Sequence, residues 1–176
     1  MACTLTTGRK VPCKSAVGGI KSIFFADYGT LGDPTIVDGE ITLFGGSPQW
    51  FQFDVKGASS LETAINSSRE NGTTFYESTL TMALTFQDKA TQEQLKLITH
   101  ARPHAAIQDY NGNFFIIGLE HGAEVTGGTI SSGAAMGDLS GYNLTIVAQE
   151  TAPPYFASLN AFLGDVSVTK IDPTGI

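Results

Sequence analysis

LETAINSSRENGTTFYESTLTMALTF, residues 61–86, is the stretch whose reading decides the fold. Two β-patterned runs, 61–69 and 74–86, flank Glu70-Asn71-Gly72-Thr73. Asn-Gly between such runs signals a hairpin, with Asn71 and Gly72 as turn residues that both accept positive φ. In the second run Tyr76, Leu80, Met82, Leu84 and Phe86 fall on one side of a period-two pattern, and Glu77, Thr79, Thr81, Ala83 and Thr85 on the other. One face is apolar and the other is rich in hydroxyls. At about 3.3 Å per residue the second run reaches roughly 40 Å, about twice the usual strand length. Two readings stay open at this point. The run is a long curved strand, bulged or not, inside a sandwich or barrel, or part of the hairpin lies against other copies of the chain.

Toward the N-terminus, residues 1–18 are polar and punctuated by Gly and Pro, which predicts an arm outside the core. A strand is expected over 20–28, with Phe24 and Phe25 on opposite faces or at a layer edge, closing at a turn region over 29–34. Residues 40–44 form a second short strand. Residues 50–56 alternate cleanly, Phe51, Phe53 and Val55 against Gln52, Asp54 and Lys56, as in a sheet with one wet side.

Toward the C-terminus one helix is predicted over 91–101, opened by a Thr91-x-x-Gln94 capping box and carrying Leu95, Ile98 and Ala101 at helical spacing. Pro103 ends it. His100 and His104 are four apart, but Pro103 breaks the register between them, and they are read as helix-terminal histidines that favour the C-terminal dipole. Strands over 104–109 and 113–119 are joined through Tyr110-Asn111-Gly112, a second Asn-Gly hairpin. The Gly-rich passage 118–141 lacks a Gly-Lys-Ser/Thr ending and does not precede a helix, so it is read as loops and turns rather than a phosphate cradle. Residues 142–150 are a strong strand with Tyr142, Leu144, Ile146 and Ala148 inward, and Pro153-Pro154 interrupts the chain shortly after it. Residues 155–176 form a weaker strand candidate and a tail. With no internal repeat, the whole of 1–176 is expected to be a single β-dominated domain with one flanking helix.

Charge sets the first functional limits. Ten basic against 17 acidic side chains leave a net charge of −7, the opposite of the cationic footprint that neutralises phosphates. Stable nucleic-acid binding is not expected. Residues 1–10 lack the apolar core of a secretory signal, and no stretch approaches the roughly 18 to 20 apolar residues that span a bilayer. Folding in a cytoplasm is therefore expected, where Cys3 and Cys13 stay free rather than bridged. Two cysteines with distant histidines do not make a zinc set. Glu120, His121, Glu124 and Asp138 are the one polar cluster worth weighing as an active site. Any two acidic residues on loops meet the two-carboxylate requirement in a sequence, so turn chemistry or subunit contacts is the preferred account. No catalytic, cofactor or metal residues are assigned, and no enzymatic activity is expected.

A family resemblance emerges from Gly118-Leu119-Glu120-His121-Gly122-Ala123-Glu124-Val125-Thr126-Gly127-Gly128, followed by Gly133, Met136-Gly137-Asp138-Leu139-Ser140-Gly141-Tyr142 and Leu144-Thr145. This pattern, with Pro12-Cys13-Lys14 and Gly18-Gly19-Ile20 near the start, resembles bacteriophage tail-tube proteins, especially those of phages of Bacteroidetes-like hosts. The resemblance implies a β-sandwich or barrel with a helix on its flank and a long hairpin or loop reaching a neighbouring ring. It further implies a virion protein whose hexameric rings stack into a tail tube. Its partners would be itself and other tail proteins, with DNA only as transient cargo in the lumen. A channel that must release DNA favours a neutral or acidic wall. Glu62, Asn66, Ser68, Glu77, Thr79, Thr81 and Thr85, short and free of cations, are therefore expected to face the lumen while Leu80, Met82, Leu84 and Phe86 enter the core. Two alternatives remain. One is another ring, adaptor or head-decoration protein. The other is a carbohydrate-binding, adhesin-like sandwich with Trp50 and Tyr110 as platforms, although these residues are more simply a core and a hairpin residue.

Overall fold

The computed structural model describes residues 7–11, 13–55 and 57–158. The chain is mainly β, with eleven strands and one helix among those residues. The strands are β1 (Ile20–Ala26), β2 (Thr35–Val37), β3 (Glu40–Leu43), β4 (Phe51–Asp54), β5 (Ser60–Ser68) and β6 (Thr73–Thr85). After helix α1 (Lys89–His100) come β7 (His104–Asp109), β8 (Phe114–Ile117), β9 (Glu124–Ser131), β10 (Gly141–Glu150) and β11 (Tyr155–Ala157). Seven strands form one sheet in the order β2-β3-β11-β8-β7-β1-β4, and four form a second in the order β5-β6-β10-β9.

At β1 the seven-stranded sheet is buried on both faces, which is why β1 reads as an almost continuous apolar run rather than an alternating one. Ile23 and Phe25 point into a core shared with the four-stranded sheet and α1, together with Ala105, Ile107 and Ile117. Phe24 and Ala26 point the other way, into a second core with Ala106, Phe114 and Ile116. Leu31, Phe44 and Trp50, from the chain that connects β1 to β4, complete that second core. Phe24 and Phe25 thus lie on opposite faces, and Trp50 is fully buried, stacked at a tilt 5.9 Å from Phe44. Each such side chain removed from water contributes about 1.5–3 kcal/mol, so the far side of the sheet is a substantial half of the fold. Beside it, Gln52 and Asp54 on β4 bond each other at 2.7 Å, and Ser22 of β1 donates to Asp54 at 3.1 Å.

The helix starts earlier than its capping box predicts. Asp88 is the N-cap, its carboxylate accepting the Thr91 N–H at 2.9 Å, so Thr91 is capped rather than capping. Hydrogen bonding from the Thr91 side chain, and then from its backbone N–H, holds the Asp88 carboxyl below the usual range. Leu95 and Ile98 face the core as expected. His100 lies in the last turn, but His104 does not belong to the helix end: it opens β7 and is buried.

Two strands go beyond the sequence expectation. β2 pairs with β3 through Asp38-Gly39, where both residues have positive φ, 52° and 83°. This is the two-residue turn that an Asp-Gly pair encodes, and only three residues of strand precede it. β9 lies inside the Gly-rich passage, where loops and turns are expected. Gly127-Gly128 lowers its strand signal, yet a Cβ at Gly128 would stand 2.6 Å from the Asn143 carbonyl oxygen of β10. Glycine is there because two backbones approach closely.

The hairpin over 61–86 is present, with β5 and β6 in unbroken register from Ser60↔Thr81 to Ser68↔Thr73. Its turn is longer than a two-residue Asn-Gly turn. Arg69, Glu70, Asn71 and Gly72 lie between the last paired residues, and of these only Gly72, at φ 63°, is left-handed. Asn71 instead donates its N–H to the Ser68 hydroxyl at 3.3 Å. β10 pairs with β6 only from Tyr76 to Thr85, so the distal end of the hairpin extends past the sheet as two strands alone. Phe86 corrects the expected core face: it has left the strand, with φ 71° and nearly half its surface exposed, while Leu80, Met82 and Leu84 are buried.

At the N-terminus the described part of the predicted arm carries neither helix nor strand and is exposed. It is tied down at Val17, whose backbone N–H and C=O both bond the Asn111 side chain, at 3.0 and 2.7 Å. The strand candidate at the start of 155–176 is β11. Residues 159–176 lie outside the described residues.

Candidate functional site

The second sheet brings together the residues singled out in the sequence. In antiparallel pairs, residues directly opposite share a face. One row runs Glu62, Thr79, Val147, Glu124 across all four strands, and the next runs Ser60, Thr81, Thr145, Gly127. Glu77 lies opposite Ala64 and Gln149, Thr85 opposite Gly141, and Asn66 and Ser68 opposite Phe75 and Thr73. Glu62, Asn66, Ser68, Glu77, Thr79, Thr81 and Thr85 therefore occupy one face. The opposite face sends Leu80, Met82, Leu84, Tyr142, Leu144 and Ile146 into the core. Apart from Val147, Phe75, Ala64 and Ala83, the polar face is built mostly of short hydroxyl, amide and carboxylate side chains.

Its electrostatics are one-sided. None of β5, β6, β9 and β10 contains Lys or Arg, whereas they carry Glu62, Glu77, Glu124 and Glu150. Glu62, Glu77 and Glu124 lie on the polar face. Gln149 donates to Glu77 at 2.6 Å. Glu150 points to the other side, where it is buried and accepts the Glu120 N–H at 2.7 Å. Burial pushes the Glu150 carboxyl up.

Both lateral edges of this sheet are open. Among the described residues β5 pairs only with β6, and β9 only with β10. Neither edge strand carries the Lys or Pro that commonly blunts an exposed edge, and β5 is nine residues long. Since each neighbour in the order β5-β6-β10-β9 is antiparallel, β5 and β9 run in opposite directions.

In the other candidate cluster Arg102 bonds the His121 carbonyl as well as Glu124. Glu120 sits 3.9 Å from its neighbour His121 and accepts from the Thr151 hydroxyl, and Glu124 lies 3.6 Å from Arg102. Asp138 folds back on its own loop, accepting the Ala134 and Ala135 N–H groups at 2.9 and 2.7 Å, which hold its carboxyl below the usual range. These residues serve turns and local pairs. Tyr110 lies in the β7–β8 turn beside Gly19, and Cys13 is an exposed free thiol. Among the described residues, no group of three or more His, Cys, Asp and Glu is placed to hold a metal ion. No described helix is long and apolar enough to cross a membrane.

Sequence reasoning missed the part played by His104. Its Nδ1 donates to the Gly118 carbonyl at 2.5 Å and its Nε2 accepts the Gly29 N–H at 2.9 Å, so one neutral ring pins two loops. Tyr28 stacks on it, 5.2 Å between ring centres, and Arg102 lies 5.2 Å from the Tyr28 ring centre. Glu150 fixes the same 118–122 loop from β10. A lone His ahead of a strand and a Glu at the end of one carry no pattern that marks them.

The class these observations define is a mainly β, two-sheet protein with an acidic, edge-open sheet. Comparison of the chain with protein-family models, curated proteins and solved structures gave no match.

Proposed function

We propose that the chain is the structural subunit of a bacteriophage tail tube, assembling through its four-stranded sheet into rings that stack around a DNA-conducting channel. The observation that carries this reading is the sheet itself, its strands free of Lys and Arg, polar on one face, apolar on the other, and open at both edges among the described residues. Copies set around an axis roughly parallel to the strands bring β5 of one beside β9 of the next. The pairing is antiparallel, and every polar face stays on the same side. The sheets then merge into one barrel, the arrangement that abolishes edges altogether. Its wall would carry Glu62, Glu77 and Glu124 and repel DNA phosphates rather than hold them. The distal end of the β5–β6 hairpin, which runs past its own sheet, suits contact with an adjacent ring. Hexameric symmetry and a place in the virion tail come from the family resemblance.

Negative-stain microscopy over a concentration series tests the reading. Rings and stacked tubes with a central hole are expected. Single rings or trimers that never stack would favour an adaptor or head-decoration protein instead, and monomers at every concentration would sink the assembly reading.

A further inference from the structure

The apolar face of the four-stranded sheet is left uncovered at both of its edges. At the β9 edge a groove of about 480 Å³ opens between α1 and the strand, lined by Leu95, Lys96, Ile130, Tyr142 and Leu144. Ile130 is 61% exposed on it. At the β5 edge the same face carries Leu61 and Ile65, since they pair with Leu80 and Tyr76. Ile65 is 68% exposed, with no core beneath it, and Leu61 borders a second hollow of about 500 Å³ that includes Ile107, Phe115 and Pro154. Each copy thus has an apolar stud at one edge and an apolar groove at the other, both on the core face.

We infer that the core-face row of β5, Leu61 and Ile65, seats in the groove between α1 and β9 of a second copy of this chain. The inference rests on the tail-tube reading and adds to it what seals the seam behind the paired edges. Joining β5 to β9 in one continuous sheet keeps faces together, so Leu61 and Ile65 arrive on the side of Ile130 and not on the polar side. The same seam covers both hollows, because α1 of one copy then approaches the open end beneath β5 of the other. Barrel closure requires a stagger between copies, which decides whether Leu61 or Ile65 lies nearer Ile130.

The test uses the full chain with Cys3→Ser and Cys13→Ser, to which Ile130→Cys is added with Leu61→Cys or, separately, with Ile65→Cys. Oxidation of the assembled protein is expected to give a ladder of covalent multimers from at least one pair, and none from the single-cysteine parents. In parallel, Ile65→Asp should raise the concentration needed for assembly about tenfold while leaving the circular dichroism spectrum unchanged, as for loss of one apolar anchor, and Ile65→Val should not. Tubes that form without cross-links from either pair and ignore Ile65→Asp would overturn the seam and leave the tube reading standing. A chain that stays monomeric at every concentration would overturn the tube reading and the seam with it.

Discussion

Gln149 donates from its side-chain amide to Glu77 at 2.6 Å, across the β6–β10 pair on the polar face. The bond holds a half-buried carboxylate against the sheet, and neither strand supplies a cation beside it.

Charge reversal at Glu62 and Glu77 tests that feature. Glu62→Lys with Glu77→Lys should cost about 1 kcal/mol, chiefly the Gln149 bond, because exposed substitutions otherwise shift stability by only about half a kcal/mol. The variant should fold and assemble, yet slow the passage of DNA by placing counter-charges along its path. Thermal unfolding and DNA-ejection kinetics check the two halves separately. A tube structure with Glu62 and Glu77 on the outer surface would end the idea.

The hairpin turn should be sensitive at one residue only. Gly72→Val forces a branched side chain into φ 63° and is expected to cost about 1–2 kcal/mol, although the space around it is open. Asn71→Val, at ordinary φ, should cost about half a kcal/mol or less. Equal losses in chemical denaturation would mean that the turn is built differently.

At Gly128 the expected damage is steric. A side chain there meets the Asn143 carbonyl and Leu144 across the β9–β10 pair, so Gly128→Val should loosen β9 from its sheet. Hydrogen exchange is expected to rise over Glu124–Ser131 while β1 and β7 stay protected. Uniform loss of protection would show that β9 does not open on its own.

His104 makes stability depend on pH. Burial holds its pKa below the ordinary 6.5, although the bond to Gly118 opposes this. The unfolded chain therefore takes up the proton first, and stability falls as pH drops below 6.5 toward the folded value. Glu150 has the opposite sign. Its pKa is raised above 4.5, so its contribution is complete below 4.5 and is lost as pH rises through the folded value. Urea midpoints should fall as pH is lowered from 7 through 6.5. His104→Asn should be less stable at pH 8 by about 1–3 kcal/mol, from the unpaired Gly29 and Gly118 groups, and flat across that window. A wild-type midpoint unchanged between pH 7 and pH 6 would show that His104 is not held neutral.

Much of the sheet architecture is legible in the sequence, and the exceptions share a cause. Strands with one wet face announce themselves by alternation: β6 and β10 stand out because Met82, Leu84, Leu144 and Ile146 recur at every second position. β9 is hidden because its close approach to β10 demands glycine, the residue that signals a loop. β2 is too short for any period to show. The helix is legible but its cap is not, since Asp88 and Thr91 are equally good caps in a string of letters and only the chain path chooses between them. The polar face is legible residue by residue. Its two free edges are not, because strand order depends on pairings between segments far apart in sequence. His104 gives no sign at all, as its partners are backbone atoms.

The two edges left unpaired among the described residues bear on copy number. If copies join through β5 and β9, each is a bifunctional monomer in the polymer chemist's sense, and nothing in a single joint says when to stop. The count is then set by angle: the turn each joint adds, accumulated until the last β9 meets the first β5. Ring size would be a property of sheet twist, and a substitution that changed that twist slightly, without weakening any contact, would alter how many subunits close the circle.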